Sequence, residues 1–136
     1  MILSYKERNV KQLLPPHFRN NEDVKYGFLR LVDIPAEVAA NQPWFNQTLT
    51  TVNDAVVRLG IFEGEFPWHQ HAEQDEFFLV LDGEISLDVE GRDAVVLGRH
   101  QGFTVPKATM HRPRSPRRSV VLMVESIGIV ATGDRS

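Results

Sequence analysis

Cysteine is absent from the 136 residues, which excludes both a disulfide-stapled secreted domain and a thiolate metal site. Charge of one sign is also scarce. Fifteen Lys and Arg against 18 Asp and Glu leave −3 at pH 7, far from the basic surface that general nucleic-acid binding uses. No apolar run approaches the ~20 residues that cross a bilayer. The first nine residues, MILSYKERN, lack the basic stretch and apolar core of a signal peptide. Internal repeats, low-complexity segments and linkers are missing too. These absences predict a cytoplasmic protein with neither nucleic acid nor membrane as partner. The length suits one domain that buries about two-thirds of its unfolded surface, and eight Phe, two Trp and two Tyr supply material for a core.

What the chain does contain is the stretch from Trp68 to Gly83, WHQHAEQDEFFLVLDG. On a strand, the period of two points His69 and His71 to one face, with Cα atoms roughly 6.5 Å apart. Two rings at that spacing can converge on one ion at ~2.0–2.1 Å per nitrogen. On a helix they would diverge, so the spacing predicts a strand. Residues 77–81 are apolar and run into Asp82-Gly83, the pattern of a buried strand entering a tight turn. The plain alternative is a pair of histidines satisfied by backbone groups.

Elsewhere, Lys6–Leu14 reads as a short helix stopped by Pro15-Pro16. Asn20–Asp23 reads as a turn, and Val24–Val32 (VKYGFLRLV) as a strand. Ala36–Ala40 fits one helical turn, and Asn41–Asn46 a loop that exposes or tucks in Trp44 and Phe45. From Thr48 the β pattern is continuous, with strands at Thr48–Val52 and Ala55–Phe62 broken by Asn53-Asp54. Ile85, Leu87 and Val89 alternate onto an inner face. Glu90–Asp93 turns into Ala94–Leu97, Gly98–Gly102 turns again, and Phe103–Val105 leads to Pro106. Arg112–Arg118 reads as a proline-broken loop before a last strand, Val120–Glu125. Short strands every 8–12 residues predict an all-β sandwich or barrel. Residues 1–45 are expected to be an N-terminal extension, and 46–136 the barrel.

These residues carry a family resemblance. Gly64-x4-His69-x-His71-x4-Glu76-x6-Gly83 resembles the first motif of the cupin superfamily, and Pro106-Lys107-Ala108-Thr109-Met110-His111 resembles its second. The tail from Glu125 to Asp134 is similar to that of small single-domain microbial cupins of the mannose-6-phosphate-isomerase-like kind. The resemblance covers residues 48–134 and implies a double-stranded β-helix, the jelly-roll or cupin barrel. Departures from the pattern are a four-residue gap after Gly64, His100 where a Gly is usual, Ala108 in place of the motif Gly, and Ser115 in place of an Asn. None removes a ligand position.

Carried over, the resemblance implies His69, His71, Glu76 and His111 as ligands of a divalent transition metal. Three neutral imidazoles and a carboxylate suit Fe, Mn, Ni, Zn, Co or Cu. An octahedral ion would keep two positions open, whereas a tetrahedral Zn would keep none. Phe66, Phe77, Phe78 and Phe103 would wall the site where they face inward. Glu73 is the substitute carboxylate should the register slip. Glu76 could be only part of an acidic turn, and His111 only a loop histidine. His17 and His100 read as surface residues. The arginines at 112, 114, 117 and 118 invite an anion-binding reading. An inward His111 turns Arg112 and Arg114 outward, which makes a solvated loop the better one; Lys107 shares that position, and Trp68 alternates away from the site. The expected function is that of a small-molecule metalloenzyme with isomerase- or dioxygenase-type chemistry. A non-catalytic binding or sensing cupin, or a barrel with a purely structural ion, stands beside it. No separate general base is evident. A homodimer is expected, because sheet edges need cover.

Overall fold

The structure is a computed structural model that describes residues 13–128 and Gly133. The Lys6–Leu14 helix and most of the tail after Gly128 lie outside the described residues. The elements are β1 (Arg19–Asn21), α1 (Ile34–Ala40), β2 (Phe45–Val52), β3 (Ala55–Glu65), β4 (Glu76–Asp82), β5 (Ile85–Val89), β6 (Val95–Leu97), β7 (Gly102–Val105) and β8 (His111–Ser126). The strands follow the order β1-β2-β3-β8-β4-β7, and β5 joins β8 to β6. This is the expected all-β jelly roll. All described pairings are antiparallel except the short parallel one between β1 and β2.

Strand β8 holds the barrel together. Its first residues, His111–Arg114, pair with β5; residues from 114 onward pair with β3; and Val120–Glu125 pair with β4. The expected loop at Arg112–Arg118 is therefore a correction, because this segment is part of one 16-residue strand. Pro113 is accommodated because its carbonyl still accepts from Phe66 N at 3.1 Å, and only its missing N–H is lost to the ladder. Pro116 lies where the β3–β8 register shifts between Phe62 and Gly64, so residues 116–118 stand out exposed. The prolines bulge the strand without ending it.

Alternation sorts the apolar residues into two clusters. Inside the barrel pack Trp44, Phe62, Phe66, Phe78, Val80, Ile85, Leu87, Val89, Leu97, Val105, Val121 and Met123. On the outer face of the sheet, Leu49, Leu59 and Val120 meet Tyr26, Val32, Ile34 and Val38. Strand β3 is therefore apolar on both faces because residues 26–38 cover its outer one. Helix α1 starts at Asp33, whose carboxylate caps Ala36 N at 3.0 Å.

Val24–Val32 forms no strand, contrary to its composition. Only Lys25 N and Tyr26 N bond to β2, at Thr48 and Leu49 carbonyls. The chain then turns at Phe28-Leu29, with Leu29 at φ 62°. A strand needs an edge to pair with along its length, and β1 already occupies that of β2 at residues 45–47. The expected turn at Asn20–Asp23 is accordingly half strand. Phe45 and Asn46, expected in a loop, begin β2, and Trp44 and Phe45 are both tucked in. At the Asp82-Gly83 turn, Gly83 sits at φ +85° with the Ser119 backbone so close that an added Cβ would lie 2.9 Å from its Cα. Only glycine fits both demands.

Candidate metal centre

The segment before β4 is fastened to the start of β8 by backbone. His69 and His111 exchange two hydrogen bonds of 2.9 Å, and Ala108 N donates to His71 O at 2.7 Å. Lys107 N donates to Asp75 Oδ1 at 2.8 Å and holds the turn between His71 and β4. The pair at 69 and 71 is thus not on a continuous strand, as its spacing suggested. His69 is an isolated bridge and His71 lies in the following loop. The reason is that residues 67–71 meet β8 at a single register point, with no second neighbour to extend a ladder. Ala108, in the place of the motif glycine, takes up φ 59° without one.

Even so, the side chains converge. One ligand atom from each of His69, His71, Glu76 and His111 lies within 4.8 Å of the others. All four residues are buried, none more than 5% exposed. Opposite ligands of a single ion at ~2.1 Å are about 4.2 Å apart, so shifts of a few tenths of an ångström close the set. Two of the rings are pre-oriented: His69 Nδ1 lies 2.9 Å from Pro67 O, and His111 Nδ1 lies 2.8 Å from Thr109 O. A ring that donates Nδ1–H to a carbonyl carries its lone pair on Nε2. His111 Nε2 then faces Glu76 Oε1 at 3.2 Å, and His71 Nε2 lies 3.4 Å from the same oxygen. Neither ring nitrogen of His71 finds a hydrogen-bond partner among the described residues. Buried lone pairs converging on a carboxylate with one ring unsatisfied fit a cation between them.

Burial and the neighbouring His111 hold His69 down to about 3, keeping it neutral. Burial pushes the Glu76 carboxyl up, but the His111 and His71 rings set against it outweigh burial and leave Glu76 well below its usual range. Opposite it in the β4–β8 ladder stands Glu125. Burial and the Glu76 charge push Glu125 up to about 9. Of the two facing carboxyls, Glu76 is the charged one and Glu125 the protonated one at neutral pH.

Beside the cluster lies a narrow cavity of about 320 Å³ including its mouth, lined by Trp44, Asn46, Arg58, Phe62, Phe66, His69, Glu76, Phe78, Pro113, Met123 and Glu125. Of the phenylalanines expected around the site, Phe66 and Phe78 do face it. Phe77 points outward against Gly102, and Phe103 packs on the far edge of the core under Arg92. Glu73 is exposed and outside the cluster, and His17 and His100 are exposed. Arg112 and Arg114 turn outward, as alternation required, and both clasp Asp88 at 2.7–3.0 Å; Arg112 also lies over the Trp68 ring.

Among the lining residues not legible as site residues, four carry polar groups: Trp44, Asn46, Arg58 and Glu125. A signal existed for two. Arg58 and Glu125 are the single charges of the expected strands Ala55–Phe62 and Val120–Glu125, and a charge inside an apolar strand needs a partner. They are each other's partner, Arg58 donating to Glu125 Oε1 at 3.1 Å across diagonal positions of β3 and β8. A second nitrogen of Arg58 donates to Asn20.

A jelly roll with three histidines and a glutamate gathered inside the barrel defines a class, and comparison with known proteins agrees with it. The Cupin domain family matches residues 55–125, and the chain belongs to that family. YdbB of Bacillus subtilis, described only as an uncharacterized protein, is 44% identical over 80 residues, which is 59% of this chain and 71% of that one. A cupin-2 domain containing protein from Shewanella frigidimarina superposes with a TM-score of 0.66 at 26% identity, covering 71% of this chain and 94% of that one. Hydroquinone 1,2-dioxygenase from Sphingomonas sp. TTNP3 shares the fold at a TM-score of 0.57 and 24% identity, over 61% of this chain and 27% of that one.

Two predictions follow from the geometry. A His69→Ala, His111→Ala double variant is expected to purify with under about a tenth of the wild-type metal by elemental analysis, since two of four ligands are gone; equal metal would mean the ligands are elsewhere. The second concerns pH in the metal-stripped protein. His69 titrates near 6.5 unfolded and about 3 folded, so stability falls as pH drops through that window. Glu125 titrates near 4.5 unfolded and about 9 folded, so its contribution is complete below 4.5 and is lost as pH rises towards 9. The two slopes oppose between 4.5 and 6.5, each up to about 1.4 kcal/mol per pH unit. Thermal melts should therefore show a plateau there with losses on both sides, and Glu125→Gln should remove the alkaline loss.

Proposed function

We propose that the protein is a metal-dependent enzyme acting on a small organic molecule inside the barrel, with His69, His71, Glu76 and His111 as the ligands of a first-row divalent ion: Fe, Mn, Ni, Co, Cu or Zn. Bound there, such an ion supplies Lewis acidity, or an oxygen-binding centre, at positions its four protein ligands leave open. The observation that carries the reading is the cavity wall. Asn46, Arg58 and Glu125 line it together with His69 and Glu76, and a barrel with a purely structural ion has no use for buried polar groups that cost stability.

The residues of the chain divide the remaining work. Phe62, Phe66, Phe78 and Met123 exclude water from the cavity, which strengthens every electrostatic interaction within it. Glu125 holds a proton beside Glu76 at neutral pH and provides the acid–base group that no motif revealed. Arg58 fixes the Glu125 carboxyl through its bond to Oε1. Isomerase- and dioxygenase-type reactions both suit this set, and fold likeness to a dioxygenase does not select between them.

Residues 1–45 are proposed to contribute to a homodimer in the cytoplasm, with residues 26–38 clothing the outer face of the sheet. Support comes from Phe28, Leu29 and Leu31, which stand 79%, 107% and 85% exposed, an apolar surface of the kind that subunit contacts cover. A monomeric mass by light scattering would refute the dimer.

The enzymatic reading is tested by incubating metal-replete protein with a panel of phenols, hydroxy acids and sugar derivatives, followed by NMR and an oxygen electrode. Conversion that stops on chelation is the expected result. Binding without conversion would favour a sensing module, and neither binding nor conversion would favour a structural ion.

A further inference from the structure

The cavity wall holds four buried polar atoms that find no hydrogen-bond partner among the described residues: Trp44 Nε1, Asn46 Oδ1, Arg58 Nε and Glu125 Oε2. Their residues are 2%, 5%, 2% and 4% exposed, so bulk water does not satisfy them. Each buried group left without a partner costs stability, because its hydrogen bond to water is not replaced. Four such atoms lining one cavity of a native interior are far above the usual scatter of isolated exceptions. They are also contributed by three different strands and the residue before one of them. Trp44 immediately precedes β2, Asn46 is on β2, Arg58 on β3 and Glu125 on β8, so no local backbone feature explains them together.

The donor and acceptor pattern says what would satisfy them. Trp44 Nε1 and the Arg58 Nε are donors only, Asn46 Oδ1 is an acceptor, and a carboxyl oxygen takes either part according to its proton. A ligand that only accepts, such as a simple carboxylate, leaves Asn46 unpaired. One that only donates leaves Trp44 and Arg58 unpaired. A hydroxyl beside a second oxygen serves both. The Arg58 guanidinium favours negative charge on that second oxygen. The enclosed part of the cavity takes about one water molecule, so a ligand of a few atoms sets only its oxygens against this wall and keeps its carbon atoms in the mouth, which brings the cavity to about 320 Å³. The Trp44 ring stacks on Phe62 at 4.3 Å and on Phe66 at 5.2 Å, so its Nε1–H is held by a rigid aromatic stack and needs no reordering to donate.

We infer that Trp44, Asn46, Arg58 and Glu125 form a substrate subsite that takes the hydroxy-acid end of a small molecule, with the hydroxyl oxygen set between Asn46 and the Trp44 indole and the carboxylate against Arg58. The inference builds on the metal-centre reading only in that His69 and Glu76 border the same cavity and so place the bound oxygens beside the ion. The four residues are specificity-determining and hold no metal.

Calorimetric titration of the metal-replete full-length protein with glycolate and with acetate tests this. The wild type should bind glycolate at least about tenfold tighter, the worth of one or two hydrogen bonds to buried groups. Because an ion alone also prefers a chelating hydroxy acid, the deciding measurement is the same ratio in Trp44→Phe and Asn46→Leu. Asn46→Leu keeps the shape of its side chain and removes the unpaired atom, whereas Trp44→Phe removes Nε1 together with the five-membered ring. Both should bring the ratio to about threefold or less with metal content unchanged. Asn46→Leu should melt at or above the wild type, since an unsatisfied polar atom has been replaced by an apolar one, and Trp44→Phe should melt lower because of the volume it loses. A ratio of about tenfold retained in both variants would assign the selection to the ion and overturn the subsite. A lower melting temperature in Asn46→Leu would make its polar atom structural, with the same consequence, as would equal affinity for the two acids in the wild type. A wild type that purifies and reconstitutes without metal yet still prefers glycolate would sink the metal-centre reading and leave the subsite standing.

Discussion

Two backbone hydrogen bonds between His69 and His111 join stretches of chain 42 residues apart and set everything else at the site. Through them, a loop with no strand partner of its own gains a fixed register on β8. With Nδ1 of each ring tied to the carbonyl two residues earlier, both imidazoles keep Nε2 as the lone-pair nitrogen. The geometry therefore comes from main chain, which few substitutions disturb, and not from flexible side chains searching for a partner. The short bridge also explains why four ligands can come from a region that is only partly sheet. Pairing is needed at one point, and the fold supplies it there.

The same strand carries the opposing chemistry at its other end. β8 begins at His111 and ends with Glu125 facing Glu76 across the ladder, so one element delivers a ligand and the carboxyl that adjusts the electrostatics of another. Two carboxyls this close in an apolar interior do not both ionise. The histidines decide which one does, because the His111 and His71 rings beside Glu76 favour charge on it. Arg58 and Asn20 then tie this polar seam to β3 and to the N-terminal edge of the sheet. The interior of this barrel is thus divided: a close-packed apolar half around Leu87 and Ile85, and a polar half whose groups are held in place at a cost to stability. Such a division is what binding sites show when polar groups wait for a ligand.

Much of this was readable in the amino-acid order, and the failures have physical causes. Alternation at Ile85, Leu87 and Val89 and the apolar run of β4 were recovered because period two is a local property. The helical turn at Ala36–Ala40 was visible for the same reason. Val24–Val32 misled because β propensity reports only fitness for a pleated surface, and the β2 edge beside it was largely taken. Arg112–Arg118 misled in the other direction: two prolines argue against a strand, yet flanking pairings on both sides and a bulge carry the chain through. The four residues that the resemblance implies as ligands do converge in the structure, although the strand expected beneath the His69 and His71 pair is not there. Arg58 and Glu125 went unread because their meaning lies in facing each other, and 67 residues separate them.

The order of residues by itself determined the strand periods, the absence of thiolate chemistry and the identity of the three imidazoles and one carboxylate, since these depend on side-chain type and on near neighbours in the chain. Only the tertiary structure decided which face of β3 became the cavity wall, that Glu125 would lie against Glu76, and that the indole of Trp44 would be walled in without a partner. Those outcomes depend on register between distant strands, and register is set by the closure of the whole sheet and not by any segment within it.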